Sequence, residues 1–329
     1  MMPVVGLVGL GNWAIALGQH LARKGCQVVG WSNRAEEING INKNRRHPRC
    51  FSDIELAANF NATEDLALVM SCEYVLVVVP AATLDDVIPR LKPAPGITVI
   101  SAIKGMETRS LLTPLQFMRR EFGKAQNLCV LSGPSFARDV VSCRPCGVVA
   151  AAESEGVARS VAELFSSEFM KVYVSTDPLG VELGGIVKNI IAIAAGISDG
   201  LRLGDSARAG LITRGLAEMV RFAEAMGAAR MTLFGLSGLG DLAMTASSDL
   251  SRNRTVGLRL GAGESLSQII ASLGSVAEGV HTTPLVLEMA RKLQVEMPIT
   301  EHVAELLRGE TNPATMARSL ITRPIKKEF

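Results

Sequence analysis

Two different rhythms of apolar and polar residues divide this chain of 329 residues. In the first half, short runs rich in valine and isoleucine alternate with stretches whose apolar residues recur at helical spacing. Apolar strands separated by helices are typical of a mostly parallel sheet that is covered on both faces. The first helix is predicted at residues 14–24, and strands are predicted at residues 4–8, 27–31, 74–79, 97–101, 128–132 and 147–151.

The second half shows only the helical rhythm. After about Asp177 the strand-like runs stop, and the spacing predicts helices at residues 181–199, 209–226, 265–273, 283–293 and 300–307. We therefore predict an α/β fold, in which an N-terminal Rossmann domain over residues 1–178 is followed by an all-α C-terminal domain over residues 179–329. The boundary rests on the turn-forming residues Thr176, Asp177 and Pro178.

Composition and charge narrow the class of protein. Hydrophobic residues make up 48% of the chain and charged residues 20%, as in soluble globular proteins. With 34 basic and 32 acidic residues, the chain lacks the concentrated basic face that nucleic acid or an anionic membrane would require. The apolar stretch at residues 190–197 is far shorter than the roughly 20 residues of a membrane span. We expect no signal peptide, because residues 1–10 carry no basic leader.

The cysteines and histidines do not indicate a metal or disulfide framework. Six cysteines are spread along the chain, and the pair Cys143 and Cys146 has no second pair or nearby histidine to complete a zinc site. We expect unpaired thiols there, and a reducing, cytoplasmic location. The four histidines show no ligand spacing, so we predict no metal; they are His20, His47, His281 and His302.

A glycine-rich loop follows the first strand directly and opens the first helix. Its pattern, G-x-G-x-x-A from Gly9 to Ala14, permits a tight turn, close approach of a pyrophosphate to the backbone, and close packing of helix on strand. The alternative is a glycine-rich turn of any α/β domain, but the strand and helix on either side favour dinucleotide binding. The predicted cofactor residues of this loop are Gly9, Gly11, Asn12 and Trp13.

The end of the second strand bears on which nicotinamide dinucleotide is bound. NAD-selective sites commonly place an acid there to accept the ribose hydroxyls. Here the residues are Ser32, Asn33 and Arg34, and the first acid is Glu36. Because a guanidinium suits a 2′-phosphate, NADP(H) is favoured, with NAD(H) still possible and Asn33 and Arg34 as cofactor residues. The alternative for Arg34 is an ordinary solvated surface residue.

Lys188 and Asn189 immediately precede an apolar helical stretch at residues 190–196. A lysine is costly to bury there unless it is paired or used, and burial lowers a lysine pKa toward the range in which it can exchange protons at neutral pH. The alternative is a lysine whose aliphatic stem reaches the surface.

A series of motifs along the whole chain bears on the role of Lys188. They are Ser132 to Ala137, Gly180 to Gly185 continuing through Lys188 and Asn189 to Gly200, Leu211 to Met219, Gly238 to Leu242, Leu250 to Arg254, Val276 to Gly279, and Val295 to Ile299. On these motifs the chain resembles the soluble, bacterial-type NAD(P)-dependent glycerol-3-phosphate dehydrogenases over essentially its whole length.

The resemblance implies a set of site residues. Lys188 matches the proton-transferring lysine, Asp241 a carboxylate beside it, and Lys104 a second lysine near the substrate carbonyl and the nicotinamide. Further substrate residues implied by the resemblance are Gly133, Ser135, Ser251, and the phosphate-binding pair Arg252 and Asn253. Further cofactor residues are Lys104, Ala137, Arg252, Val276 and Glu278. Taken alone, Asp241 and Ser251 could be helix caps and Arg252 a surface cation.

The chain also departs from the pattern of that family. Segment 42–50 is unusually basic, and Arg49-Cys50-Phe51 replaces a Tyr-Leu-Pro-Gly stretch. Cys146 stands where threonine is usual, Arg202 where glycine is usual, and Ser206 where asparagine is usual. In the glycine loop, Ala14 and Ile15 replace a common glycine and threonine, which the fingerprint allows.

The implied activity is reversible hydride transfer between NAD(P)H and dihydroxyacetone phosphate, which gives sn-glycerol 3-phosphate for phospholipid synthesis. The partners expected are therefore a small phosphorylated substrate and a second copy of the chain in a homodimer. The alternatives are a β-hydroxyacid dehydrogenase-like enzyme, which would bind a carboxylate, and a non-catalytic NADPH sensor.

Overall fold

A computed structural model describes residues 2–124, 126–274, 277–322 and Pro324. The chain forms two compact units, the sheet unit Met1–Glu182 and the helical unit Leu183–Phe329. The sequence placed the domain boundary after residue 178, a few residues earlier.

The sheet unit is built on one eight-stranded sheet. Its strands are β1 (Val4–Val8), β2 (Gln27–Trp31), β3 (Phe60–Thr63), β4 (Tyr74–Val77), β5 (Thr98–Ser101), β6 (Asn127–Ser132), β7 (Cys146–Ala151) and β8 (Met170–Ser175). Its helices are α1 (Asn12–Arg23), α2 (Ala35–Asn44), α3 (Leu66–Met70), α4 (Leu84–Val87), α5 (Pro114–Phe122), α6 (Ala137–Val141) and α7 (Glu155–Phe165).

The strand order is β3-β2-β1-β4-β5-β6-β7-β8, and neighbouring strands are parallel except for the antiparallel pair β6 and β7. The first six strands have the order 3-2-1-4-5-6 of a doubly wound dinucleotide-binding sheet. The strand order reverses direction between β1 and β4, and in such sheets ligands bind outside the carboxyl ends of the strands at this point. The predicted Rossmann architecture is confirmed.

The two strands that the sequence did not predict, β3 and β8, lie at the two edges of the sheet. Both alternate buried with exposed residues, whereas the central strands β4 and β5 are almost entirely buried. An edge strand contacts the core on fewer sides and needs no continuous apolar run. β4 is shorter than predicted and ends at Val77, three residues before Pro80.

The helical unit contains no strand within residues 183–274, 277–322 and 324, so the predicted all-α character is confirmed. Its first helix, α8, begins in the sheet unit. The helices are α8 (Pro178–Gly200), α9 (Asp205–Ala225), α10 (Asp241–Ser247), α11 (Arg252–Gly261), α12 (Leu266–Leu273), α13 (Glu278–Lys292), α14 (Pro298–Leu307) and α15 (Pro313–Ile321).

Helix α8 is the core of the helical unit. By length and composition it could cross a membrane, but its most apolar window is completely buried inside the protein, as in the core helix of a soluble protein. Its length follows from an almost uninterrupted supply of Ile and Ala between Ile190 and Ile197.

Helices α8 and α11 meet through glycines. A Cβ atom at Gly257 would lie 2.0 Å from the carbonyl oxygen of Ile193, and one at Gly196 would lie 2.1 Å from that of Arg254. Gly200 and Gly261 are equally crowded by backbone of the opposite helix. The two backbones therefore contact each other directly, which no larger side chain at these positions would allow.

Several helices differ from the prediction. The sequence did not predict α10, α11 and α15, and its helical spacing started α13 at residue 283. The structure instead begins α13 at Glu278 and places Pro284 inside it. Helix α11 was missed because few of its residues are apolar and its packing on α8 uses glycine.

Candidate active site

The glycine loop after β1 has the geometry of a phosphate cradle. Gly9 has φ +98°, and a Cβ there would lie 2.5 Å from the carbonyl oxygen of Val78, so only glycine fits. Gly11 caps α1 without a side-chain hydrogen bond, and a Cβ there would meet nothing within 4 Å. The first turn of α1 holds no acid that would neutralise the positive end of the helix dipole. Together with the open space at Gly11, this makes the start of α1 suited to binding a pyrophosphate. Asn12 is exposed and Trp13 half-buried.

The ends of β5 and β6 carry the other site residues of the sheet unit. Lys104 follows β5 and is half-buried. Gly133 follows β6 with φ +146°, and a Cβ there would lie 2.9 Å from the carbonyl oxygen of Gly147. Ser135 is nearly buried and donates a hydrogen bond to the carbonyl oxygen of Gly133 at 3.1 Å. Ala137 opens α6 directly afterwards.

The end of β2 contains an acid that the sequence reasoning overlooked. Asn33, Arg34 and Glu36 are exposed, but Glu37 is buried and accepts a hydrogen bond from Ser32 Oγ at 2.6 Å. Burial alone would raise the pKa of Glu37, but hydrogen bonds from Ser32 and Arg49 lower it below its usual value. The sequence contains one signal for this contact: Glu37 follows Arg34 by three residues, a spacing at which side chains on a helix are neighbours.

Lys188 lies at the centre of a buried polar cluster in the helical unit. Its Nζ donates to Asp241 Oδ1 at 2.5 Å and to Thr245 Oγ1 at 2.8 Å. Lys188 is 4% exposed and Asp241 is fully buried. Two opposite charges out of water require this kind of close pairing and additional hydrogen bonding. The carboxylate balances the charge of the ammonium group and fixes its position.

Close backbone contact brings these side chains together. A Cβ at Gly184, one turn before Lys188 on α8, would lie 2.5 Å from the carbonyl oxygen of Ser237. The contacted segment Leu236–Gly240 forms a turn of π-helix and runs directly into α10, whose first residue is Asp241. Turns of π-helix are frequent at functional sites. Lys188 and Asp241 therefore meet because glycine permits α8 to touch this turn.

Thr245 is a site residue that the sequence did not predict. It lies four residues after Asp241 on α10, so that both side chains project from the same face of the helix. Its hydroxyl lies 3.4 Å from Asp241 Oδ1. The i, i+4 spacing from Asp241 was the available signal, but α10 itself had not been predicted.

A chain of hydrogen bonds joins three helices beside Lys188. Asn253 Nδ2 donates to Asn189 Oδ1 at 2.9 Å, and the N–H of Gly279 donates to Asn253 Oδ1 at 2.9 Å. The amide of Asn253 therefore links α8, α11 and the start of α13. Glu278, the first residue of α13, is half-buried, whereas Val276 lies outside the described residues.

Two neighbouring arginines at the start of α11 differ in their contacts. Arg254 is held by Asp199 and Asp249 at 2.7 and 2.6 Å. Arg252 is exposed and makes no ion pair within the part of the chain that the structure describes. Ser251 caps α11 through a hydrogen bond that its Oγ accepts from the N–H of Arg254. Arg252 therefore retains its guanidinium donors for a ligand.

Other buried acids hold helix ends. Glu182 accepts a hydrogen bond from the N–H of Leu115 at the start of α5, and Glu218 accepts from the N–H groups of Ile299 and Thr300 at the start of α14. Burial raises the pKa of each of these carboxyls to about 7. Within the described residues, no three His, Cys, Asp or Glu side chains form a group that could hold a metal ion.

Together these features define a class of protein. A doubly wound sheet with an open phosphate-binding glycine loop holds a dinucleotide, and a buried lysine held by a carboxylate can transfer a proton. The combination is that of a nicotinamide-dependent dehydrogenase.

Comparison with known proteins identifies the family. Residues 4–158 match the model for the N-terminus of NAD-dependent glycerol-3-phosphate dehydrogenase, and residues 177–318 match the model for its C-terminus. The chain is 43% identical to the glycerol-3-phosphate dehydrogenase (NAD(P)⁺) of Nitratidesulfovibrio vulgaris, covering 98% of this chain and 99% of that protein. It is 45% identical to the protein of the same name from Desulfovibrio desulfuricans, with 98% of each covered.

A solved structure agrees with this relationship. The crystal structure of glycerol-3-phosphate dehydrogenase from Coxiella burnetii matches with a TM-score of 0.93 at 34% identity, covering 98% of this chain and 99% of that one. A ketopantoate reductase from Ralstonia eutropha matches with a TM-score of 0.55 at 15% identity, which shows a shared fold alone. The chain belongs to the NAD(P)-dependent glycerol-3-phosphate dehydrogenase family, as its motifs predicted.

Proposed function

We propose that this protein catalyses the reversible reduction of dihydroxyacetone phosphate to sn-glycerol 3-phosphate, with NADPH preferred to NADH. The observation that carries the proposal is the buried Lys188, whose Nζ is held by Asp241 and Thr245. A lysine in this setting can serve as a proton donor, and family membership supplies the substrate.

The protein's own groups account for the proton. When bound, the reduced nicotinamide supplies a hydride to C2 of the ketone. Lys188 donates a proton to the oxygen on C2 as negative charge develops there, which is general acid catalysis. The amine that remains keeps its hydrogen bonds to Asp241 and Thr245 and therefore stays in place to take a proton back in the reverse reaction.

Electrostatic groups hold the rest of the substrate. Arg252, exposed and without an ion pair within the described residues, binds the phosphate in a planar fork geometry, together with Asn253 and Ser251. Lys104 polarises the carbonyl, and Gly133 and Ser135 contact the substrate. Glu278 contacts the cofactor.

The cofactor is held by the sheet unit. Gly9, Gly11, Asn12 and Trp13 cradle its pyrophosphate at the start of α1, where the open space at Gly11 fits an anion. Ala137 lies beside it. Arg34 binds the 2′-phosphate, which favours NADP(H) over NAD(H).

The test is oxidation of NADPH by the purified protein, followed at 340 nm, with dihydroxyacetone phosphate and with NADH in parallel. We expect oxidation that depends on the ketone and is faster with NADPH. Turnover of β-hydroxyacids without turnover of glycerol 3-phosphate would instead support the carboxylate-binding alternative. NADPH binding without any turnover would support the sensor.

We also propose that the protein is cytoplasmic and forms a homodimer. The helical unit has a groove of about 1370 Å³, lined chiefly by α9 together with residues of α8 and α15. It carries apolar side chains such as Leu203 and Phe234 beside charges of both signs, including Arg214 and Glu224. A patch with both signs is suited to self-complementary contact about a two-fold axis. Light scattering of the purified protein should give twice the chain mass, and a monomer would refute the dimer.

A further inference from the structure

Two arginines from different segments converge on one carboxylate oxygen at the end of β2. Arg34 Nη1 lies 3.4 Å from Glu37 Oε1, and Arg49 Nη2 contacts the same oxygen. The arginine side chains are 55% and 50% exposed, whereas Glu37 is 9% exposed. Each guanidinium has five N–H groups. Both arginines therefore retain donors that face solvent next to each other.

Both carboxylate oxygens of Glu37 are engaged by partners inside this cluster. Its second oxygen, Oε2, accepts a hydrogen bond from Ser32 Oγ at 2.6 Å, and Ser32 Oγ in turn accepts one from the N–H of Arg34 at 3.1 Å. An NAD-selective site needs a carboxylate at the end of this strand that is able to accept the ribose hydroxyls. Because both oxygens of Glu37 are engaged and the side chain is buried, Glu37 is poorly suited to that role.

Arg49 is held in position by a buried histidine. His47 is 1% exposed, and its Nδ1 accepts hydrogen bonds from the N–H groups of Arg49 and Cys50 at 3.1 and 2.9 Å. This pattern assigns the ring proton to Nε2, which lies 3.7 Å from Glu37 Oε1. The turn that carries Arg49 is therefore built around a fixed ring and directed toward Glu37.

We propose that Arg49 is a second specificity-determining residue, which binds the 2′-phosphate of NADP(H) together with Arg34, and that Glu37 is the positioning residue that holds the two guanidinium groups side by side. The proposal rests on the proposed NADP(H) preference. Two guanidinium groups present several N–H donors to a tetrahedral dianion, which one arginine alone cannot do in the same geometry.

Glu36 provides a contrast within the same cluster. Its Oε1 lies 3.7 Å from Arg49 Nε, but its side chain is 62% exposed, and no hydrogen bond to Ser32 fixes it. Glu36 should act on a bound phosphate only through repulsion of like charge. Glu37 should act chiefly by holding the arginines. Neutralising the two acids should therefore have opposite effects on the preference for NADPH.

The experiment measures dissociation constants of the full-length protein for NADPH and NADH by nucleotide fluorescence. Competition by adenosine 2′,5′-bisphosphate and by adenosine 5′-monophosphate isolates the 2′-phosphate. We expect Arg49→Ala to weaken NADPH and the bisphosphate about 10-fold, the loss of one charge-assisted hydrogen bond in a partly exposed setting, and to leave NADH nearly unchanged. Arg46→Ala is the matched control, because Arg46 lies in the same exposed segment but donates to the carbonyl oxygen of Ser52.

Two further variants test the positioning role of Glu37 by the direction in which each changes the preference for NADPH over NADH. Glu37→Gln should lower the preference for NADPH, although it removes a negative charge, and Glu36→Gln should raise it. An unchanged NADH affinity shows that each variant is folded. A higher NADPH preference in Glu37→Gln would overturn the role of Glu37.

The outcomes also separate this inference from the proposed function. If the wild type prefers NADPH and Arg49→Ala keeps that preference, Arg49 does not bind the 2′-phosphate, and the proposed function stands. If the wild type binds NADPH and NADH equally while still reducing dihydroxyacetone phosphate, the cofactor preference fails and the inference fails with it.

Discussion

The cluster at the end of β2 and the cluster around Lys188 both place basic side chains against a carboxylate, but at very different depths. Arg34 and Arg49 are about half exposed around Glu37. Lys188 is 4% exposed and its partner Asp241 is fully buried. The basic groups of the two clusters therefore differ greatly in solvent access, although the carboxylate is buried in both.

The difference indicates what each cluster can do. A half-exposed guanidinium keeps donors for an anion, and water screens its charge, so it contributes binding and selectivity in modest steps. A buried ammonium has few partners besides the groups that hold it, and losing its proton changes a charge in a poorly screened setting. This contrast supports the proposed assignment of the exposed guanidinium groups to anion binding and of the buried Lys188 to proton transfer.

The largest effect is expected when the buried amine of Lys188 is removed. Lys188→Ala should lower turnover by about 100-fold or more, because general acid–base groups commonly contribute that much, and should change NADPH affinity little. Turnover is measured with dihydroxyacetone phosphate, and NADPH binding by fluorescence. Lys292→Ala is the control, since Lys292 is 59% exposed and pairs with Glu288 on the surface. Near-normal turnover in Lys188→Ala would remove Lys188 from its role.

A buried carboxyl should make stability depend on pH. Burial raises the pKa of Glu218 to about 7 from 4.5, so between these pH values the folded protein binds more protons than the unfolded chain. Its contribution to the free energy of unfolding therefore falls as pH rises from 4.5 to about 7, by about 3 kcal/mol in total.

Glu218→Gln lacks this titration, so the variant should gain stability relative to the wild type as pH rises. The measurement is urea unfolding at pH 5 and pH 8. Glu224→Gln, on the exposed side of the same helix, should show no such trend. A wild-type minus variant difference that is constant with pH would contradict the buried, raised pKa.

A smaller effect is expected at an exposed binding group. Arg252→Lys keeps the charge but loses the planar fork, so the Michaelis constant for dihydroxyacetone phosphate should rise about 10-fold. Dihydroxyacetone lacks the phosphate and should be a poor substrate that responds far less. Steady-state titration of both substrates checks this. An equal loss for both would show that Arg252 does not bind the phosphate.

The smallest effect concerns a strained backbone position. Arg202 has a φ of +57°, which lies in the left-handed region. Arg202→Gly should raise the free energy of unfolding by up to about 1 kcal/mol. The reverse change, Gly204→Ala at φ +86°, should lower it, because a Cβ there meets no other atom within 4 Å and only backbone strain remains. Thermal melts of the two variants should shift in opposite directions.

Sequence patterns were informative where one residue type determines the outcome. The glycine loop and the central apolar strands were predicted with nearly the observed bounds, because a tight turn and a buried strand restrict the residues allowed. The edge strands β3 and β8 and helix α11 were not predicted, because contacts with neighbouring elements stabilise them and their own sequences show no strong apolar pattern. Helix α11 packs on α8 through Gly257 and Gly261, which read as helix-breaking residues when taken alone.

The site shows the same division. Lys188, Asp241 and Arg252 were predicted because their motifs resemble those of a family, whereas Thr245 and Glu37 were not considered. Thr245 contributes through a contact with Lys188, 57 residues away in sequence. Glu37 gains its importance from His47 and Arg49, which the chain brings back to it. The local spacings to Arg34 and Asp241 could have pointed to these two residues, but they do not reveal the tertiary contacts on which their roles depend.

The contact between α8 and α11 has a consequence for how the enzyme tolerates change. Lys188 belongs to α8 and Arg252 begins α11, and the two helices touch at backbone atoms, as at Gly257 and Ile193. Substitutions elsewhere on either helix can therefore alter its surface without altering the separation of the two backbones. The spacing between Lys188 and Arg252, the proposed proton-transfer and phosphate-binding residues, should therefore be preserved through sequence drift, whereas replacement of a glycine at the crossing should change it.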